Sequence, residues 1–408
     1  MKMNDIKFIK QNGGIGRTAE SGDPISGLIV AGKNLVFGTG SIVGFEQCEV
    51  DNNDDVVSYV KKLKYVEQLE DCGIKFTEYD GETALTDIQK AHNFIHYHVK
   101  EFFRISTEGT LYLMLKTGTA DVVAGDVAKM QQYAEGAIRQ IGLLCESLIA
   151  VADIQMVCTE LEQNHMPLSV IVTYNGKSVE TATLTGATLK SAGKCNVSVC
   201  VGCDGQDYLL NNLGDNAYCG AIGTLLGCLS KASVNESIAW VAKFPLGMVK
   251  PALFNGIPIR DLSVATQETL NANGYIFVRT FVGNADNYFN DSFTLDVDTS
   301  DYAYIENVRT IDKACRGVRA NLLPYLNGPL RVDAQNGQLA PDTVAFLEVV
   351  ANKALEDMEK ANEISGYKVE IDPTQDVLAT SEVKIVIKQV PTGVMRQISI
   401  KIGFTKSI

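Results

Sequence analysis

Val383-Lys384-Ile385-Val386-Ile387-Lys388, then Pro391-Thr392-Gly393, then Gln397-Ile398-Ser399-Ile400-Lys401-Ile402-Gly403-Phe404: this stretch decides how the chain is read. Val383, Ile385 and Ile387 share one parity, with Lys384 and Lys388 on the other. After the turn, Ile398, Ile400, Ile402 and Phe404 alternate with Gln397, Ser399 and Lys401. A repeat of two marks a strand with one apolar face. Only Thr405 to Ile408 follow. A terminal strand has no chain beyond it to cover its edge, and an open edge is a template for pairing with another chain. The expectation is a subunit that joins others by sharing strands.

Upstream, residues 301–394 read as an α+β unit. Tyr302 to Leu323 is helical and stopped by Pro324. Pro341 opens a second helix whose stripe is Val344, Leu347, Ala351, Ala354, Met358 and Ala361, ending before Gly366. A short strand, Tyr367 to Ile371, and the terminal strand pair complete it, with 395–408 as a strand arm.

Residues 21–300 have another texture. Ile25 to Val30 reads as a buried strand, and Leu85, Ile88, Ile95, Val99 and Phe102 mark a helix from about Ala84 to Arg104. Strands follow at Thr110–Lys116, Ile138–Leu144, Leu168–Tyr174 and Val197–Gly202. Helices fall at about 126–136 and 159–163, with a small-residue helix at Ala217–Ser230. The order is that of an α/β sheet flanked by helices. Residues 1–20, with Ile6 and Phe8 before Gly13-Gly14-Ile15-Gly16, are too few to pack alone and read as an arm.

At 408 residues the chain exceeds one typical core. Its net charge of −13, with no concentrated basic face, argues against nucleic acid. No apolar run reaches membrane-spanning length, and no secretory signal opens the chain. Asp286, Asp291, Asp296, Asp298 and Asp301 occur with no Lys or Arg among them, and read as an exposed acidic loop rather than a calcium loop. The ten cysteines lack a disulfide framework and read as buried thiols of a reducing cytoplasm.

Sites of chemistry are few. His92 and His96 share a helix face, but His98 is rotated by about 200° from His96, so one helix cannot aim all three at one ion. His92 is better read as half-buried on the apolar stripe. Cys200-Val201-Gly202-Cys203 has no second ligand pair at zinc spacing, and it runs into an Asp204-Gly205 turn rather than a helix. No phosphate loop, nucleophile elbow or metalloprotease motif is present. No catalytic, cofactor or metal site is indicated.

An ordered set of segments resembles contractile tail sheath proteins of phages and phage-like injection systems, particularly a Bacteroidetes-type branch. It comprises Tyr288–Asp291, Asp301–Asn307, Arg309–Ala314 with Arg316 and Arg319, and Leu322–Asn327. Val332-Asp333, Gly337–Pro341 and Pro391-Thr392-Gly393 leading into Ile398–Phe404 continue it. Gly13–Arg17, Ile25–Ile29, Gly220–Leu229 and Ile238–Val241 fit the same branch. The resemblance implies hexameric rings stacked helically around an inner tail tube, bounded by baseplate and terminator proteins. It implies assembly in the bacterial cytoplasm into a virion tail or injection-system particle. It also implies arms that add strands to neighbouring subunits while the sheath contracts. Ile6, Phe8, Ile15, Val383, Ile385, Ile387, Ile398, Ile400, Ile402 and Phe404 are then the intersubunit arm contacts. Gly13, Gly14, Gly16 and Gly393 are the hinges. A tail tube or baseplate protein, or a cytosolic α/β enzyme, are the alternatives.

Overall fold

Leu28, Ile29 and Val30 have no exposed surface, and three consecutive buried residues require a strand covered on both faces. That strand, β1 (Ile25–Val30), lies inside a sheet in the computed structural model, which describes residues 22–31, 42–50, 56–118 and 120–405. Along the chain follow β2 (Glu46–Val50), β3 (Val56–Leu63), α1 (Glu67–Glu70), α2 (Asp87–Ile105), β4 (Thr110–Lys116), α3 (Ala124–Tyr133), β5 (Gln140–Cys145) and α4 (Val151–Gln163). Next come β6 (Ser169–Tyr174), α5 (Thr181–Gly186), β7 (Val197–Cys200), β8 (Gly202–Asp204), α6 (Asp207–Leu213) and α7 (Ile222–Lys231). Then β9 (Pro251–Leu253), α8 (Val264–Ala272), β10 (Tyr275–Ile276), β11 (Val278–Thr280) and β12 (Asn287–Phe289) complete the larger region.

Eight strands form one mixed sheet in the order β10-β7-β6-β5-β1-β4-β3-β2. From β10 to β4 neighbours run parallel, while β3 and β2 are added antiparallel. Alternate residues of one strand serve two cores. Leu28 and Val30 face α2 and α7, whereas Ile29 faces the layer of α3 and α4. The α/β expectation holds, and the strand at Thr110–Lys116 lies as read. The alternation of β2 and β3 escaped the reading, and α4 begins at Val151 rather than near 159.

Helix α2 starts on a capping box. Thr86 Oγ1 accepts from the Gln89 amide, and Gln89 Oε1 accepts from the Thr86 amide at 2.9 Å. Its packing on α7 depends on missing side chains. A Cβ on Gly223 would lie 2.1 Å from the His98 carbonyl oxygen, and one on Gly227 would lie 2.9 Å from that of Phe102. The small-residue character read in this helix is therefore what lets the two backbones touch.

The second unit comprises α9 (Ile305–Leu322), α10 (Pro341–Lys360), β13 (Ile364–Ile371), α11 (Val377–Thr380) and β14 (Ile385–Pro391). β13 and β14 form an antiparallel hairpin, from Ile364 opposite Pro391 to Ile371 opposite Ile385. The expected terminal pair is thus corrected. β14 takes β13 as its partner, and Gln397–Phe404 forms no ladder. The reason is the shared apolar face: Ile364, Tyr367, Val369 and Ile371 of β13 and Ile385 and Ile387 of β14 all pack into the cores made with α9 and α10.

Helix α9 joins the units. Ile305, Glu306, Val308, Arg309, Thr310 and Asp312 are buried near its start, and Arg309 Nη2 donates to the Ala232 carbonyl at 3.2 Å. Further on, Ala314 and Val318 pack with Leu355, Met358 and Ile364 of the second unit. Lys313 Nζ bridges Asp23 at 2.7 Å and Glu363 at 2.5 Å, so both units and the start of β1 meet on one ammonium. Beside it, burial pushes the Asp312 carboxyl up to about 7, against the opposing pull of Arg316, with Glu162 adding to the rise and Arg139 and Arg309 opposing it.

Two outcomes follow from this packing. Gly223→Ala should cost several kcal/mol, beyond the roughly 1–3 kcal/mol of ordinary overpacking, because the obstacle is backbone. Urea unfolding midpoints check it, with Gly125→Ala, where the added carbon meets nothing within 4 Å, as the control. The Asp312 carboxyl binds its proton more tightly folded than unfolded, so its contribution is full below about pH 4 and lost as pH rises through about 7. Asp312→Asn should therefore gain stability relative to wild type between pH 5 and pH 8. A pH-independent difference in urea midpoint would contradict this.

Candidate assembly interface

The hairpin β13–β14 has one face occupied within the chain. Tyr367, Val369 and Ile387 pack beside Ala314, Leu355, Met358 and Ile364, while Val383 and Ile385 pack beside Leu339, Leu347 and Ile371. Val383, Ile385 and Ile387, expected as contacts between subunits, therefore cover the chain's own helices. Their parity was read correctly, but the surface they meet is α9 and α10. On the opposite face Val386 and Val390 are exposed. Lys368 and Lys388 stand directly across the hairpin, a pairing of like charges that would repel. Glu370 separates them, 2.5 Å from Lys368 Nζ and 2.9 Å from Lys388 Nζ, and these hydrogen bonds hold its carboxyl down at about 2. Among the described residues, neither outer edge of the hairpin has a ladder partner.

Beyond the hairpin the chain leaves its own fold. Ile398, Ile400, Ile402 and Phe404 are 67%, 80%, 96% and 112% exposed, and no helix or ladder forms from Thr392 to Thr405. Single exposed apolar residues are ordinary, but four at alternate positions form an apolar face that no other described residue covers. Ile6, Phe8 and Ile15, with Gly13, Gly14 and Gly16, lie outside the described residues.

The root of this segment is clamped. Asn235 Nδ2 donates to Thr392 Oγ1 at 3.0 Å. Four residues later, Arg396 Nε donates to Asp291 Oδ1 and Oδ2 at 3.1 and 3.0 Å, and its Nη2 donates to Glu306 Oε1 at 2.5 Å. The guanidinium carbon sits 3.4 Å over the Tyr304 ring. Glu306 is buried, with Ser292 Oγ donating to its other oxygen at 2.5 Å. Burial raises the Glu306 carboxyl while Arg396 pulls it back down. Removing one partner of such a buried pair typically costs about 3–5 kcal/mol, since the remaining charge is uncompensated. Gly393, the expected hinge, lies between the two clamps. Its backbone is not at positive φ, and a Cβ there would meet nothing within 4 Å.

The acidic stretch is corrected in the same place. Asp291 binds Arg396, and buried Asp296 accepts from the Gly193 amide at 3.0 Å and from Ser300 Oγ at 2.8 Å. Asp298 pairs with Lys190 and Asp286 stays exposed, so only part of the run is a solvated loop. The sequence held a signal for this cluster. A run of aspartates without a local cation needs a distant one, and Arg396 is the arginine of the terminal segment.

The histidines and the CxxC pair diverge. His96 Nε2 lies 2.8 Å from Glu70 Oε1, whereas His98 Nδ1 accepts from the Gly223 amide at 3.3 Å, with burial pushing its imidazole down to about 3. His92 is half-buried. Cys200, in β7, and Cys203, in β8, pack into different cores, one on each side of the large sheet. Burial pushes the Cys200 thiol up to about 12, and Cys203 Sγ donates to the Leu253 carbonyl at 3.3 Å. Among the described residues, no three His, Cys, Asp or Glu side chains are grouped to hold a metal ion.

Comparison with solved structures finds this fold in sheath proteins. A chain of the anti-feeding prophage helical sheath in its contracted state matches with TM-score 0.60 at 14% identity, over 100% of both chains. A chain of the anti-feeding prophage baseplate matches with TM-score 0.57 at 14% identity, again over 100% of each. A chain of the contracted sheath complex of the extracellular contractile injection system PVC gives TM-score 0.56 at 13% identity, covering 100% of this chain and 99% of that one. No curated protein sequence matches the chain. The family model described as DUF2586, N-terminal domain, matches residues 80–293, and the DUF2586, C-terminal domain, matches residues 301–408. With both of its domains matched in order, this chain, whose fold is that of contractile sheath subunits, belongs to the DUF2586 family.

Proposed function

We propose that the protein is a structural subunit of a contractile sheath, which polymerises around an inner tube and shortens to drive that tube through a target envelope. The observation that carries this reading is the pairing of supply and demand in one molecule. Ile398, Ile400, Ile402 and Phe404 offer an uncovered strand face, and β13–β14 offers two open edges. Within one chain the two do not combine. Strand addition between copies satisfies both, through main-chain hydrogen bonds and burial of alternate apolar side chains. Full-length likeness to sheath chains supports the same arrangement.

In this reading Ile398, Ile400, Ile402 and Phe404 are the contacts made with a neighbouring copy, and Ile6, Phe8 and Ile15 those of the opposite arm. Gly13, Gly14 and Gly16 give that arm its joints. Hexameric rings, an inner tube protein, a baseplate and a terminator are the partners. The work is mechanical rather than catalytic. The domain division is an arm at 1–20, an α/β region at 21–300, an α+β assembly unit at 301–394 and a strand arm at 395–408. A place at the baseplate is the second reading, favoured by the equally complete likeness to a baseplate chain.

Deleting Gln397–Ile408 should leave a folded chain with an unchanged urea midpoint that sediments as a monomer, while the intact chain forms cylinders visible by electron microscopy. Ile400→Asp with Ile402→Asp should act alike. Normal cylinders from either variant would refute strand sharing.

A further inference from the structure

We propose that Arg396 with Asp291, Glu306 and Tyr304 is a releasable latch that gives the terminal arm two lengths. This rests on the strand-sharing reading of Ile398–Phe404. Between β14, held by its ladder to β13, and the segment offered to a neighbour lie Thr392 to Gln397. Among the described residues, no backbone hydrogen bond ties this stretch down. Its attachments are the side-chain bond from Asn235 to Thr392, the three-sided grip on Arg396, and the stacking on Tyr304. Tension on a paired arm therefore falls on this point. The β14 ladder on one side and an intermolecular ladder on the other each spread the load over many main-chain bonds, whereas the latch concentrates it on one guanidinium.

Latched, the free arm starts at Gln397. Released, it starts at Gly393, where an added Cβ would meet nothing within 4 Å and a glycine leaves the backbone free to turn. Four more extended residues add roughly 13 Å of reach at about 3.3 Å each. One set of paired residues could then bridge two subunit spacings without breaking its ladder. The latch stays closed in the isolated subunit because opening it strands the buried Glu306 carboxylate without its cation. Once Arg396 departs, the Ser292 hydroxyl and the Glu306 backbone amide are left to compensate that carboxylate.

Native-state trypsin cleavage reads the latch directly, because Arg396 is itself a cleavage site and Lys401 is an exposed control five residues on. On full-length monomer carrying Ile400→Ser and Ile402→Ser, cleavage after Arg396 should be at least about tenfold slower than after Lys401. Glu306→Gln or Asp291→Asn should speed the Arg396 cut several-fold and leave the Lys401 cut unchanged. Equal rates at the two sites would overturn the latch, and thermal melts of both variants separate this from unfolding. In assembled wild-type cylinders, Arg396 should be cut in one of the two sheath lengths and protected in the other. Protection in both, or cleavage in both, would overturn the two lengths. Failure of cylinders to form speaks against strand sharing, while the monomer cleavage still decides the latch.

Discussion

A single helix is asked to belong to two cores, and the arrangement of the molecule follows from it. The first half of α9 is buried against the large sheet, where Glu306, Arg309 and Asp312 are taken out of water. Its second half supplies Ala314 and Val318 to the helix–hairpin unit. A rigid rod of about 1.5 Å per residue cannot serve both unless the two units are fixed relative to each other. Lys313, between Asp23 and Glu363, completes the tie with charge. The hairpin thus stands at a defined place on the large region.

Polar burial along α9 costs solvation, and the chain meets that cost with partners rather than by avoiding it. Arg309 donates to a carbonyl, Glu306 takes Arg396 and Ser292, and Asp312 keeps its proton to about neutral pH. These contacts are directional and local, unlike the apolar cores on either side. The molecule has two apolar regions, the sheet with its helices and the helix–hairpin unit, with buried polar contacts along the first half of α9 between them.

Some of this was legible in the residues. Parity identified the faces of Val383–Ile387 and Ile398–Phe404, since a strand's side chains alternate wherever it pairs. Glycine at 223 and 227 announced close helix packing. Parity does not name the partner, however. Val383, Ile385 and Ile387 were legible as apolar strand residues, yet whether they meet a neighbour or their own helices depends on α9 and α10 lying beneath them. The aspartate run was read as solvated because its cations, Arg396 and Lys190, lie about a hundred residues away in sequence.

By itself, then, the sequence determined most of the elements, the two textures of the chain, and the apolar alternation of Ile398–Phe404. Local pattern suffices for these, because periodicity and glycine act within a few residues. The tertiary structure alone decided that β14 pairs with β13, that Cys200 and Cys203 part into different cores, and that the arm's root is gripped by Asp291 and Glu306. Each joins residues far apart in the chain, where folding rather than sequence spacing sets the distance.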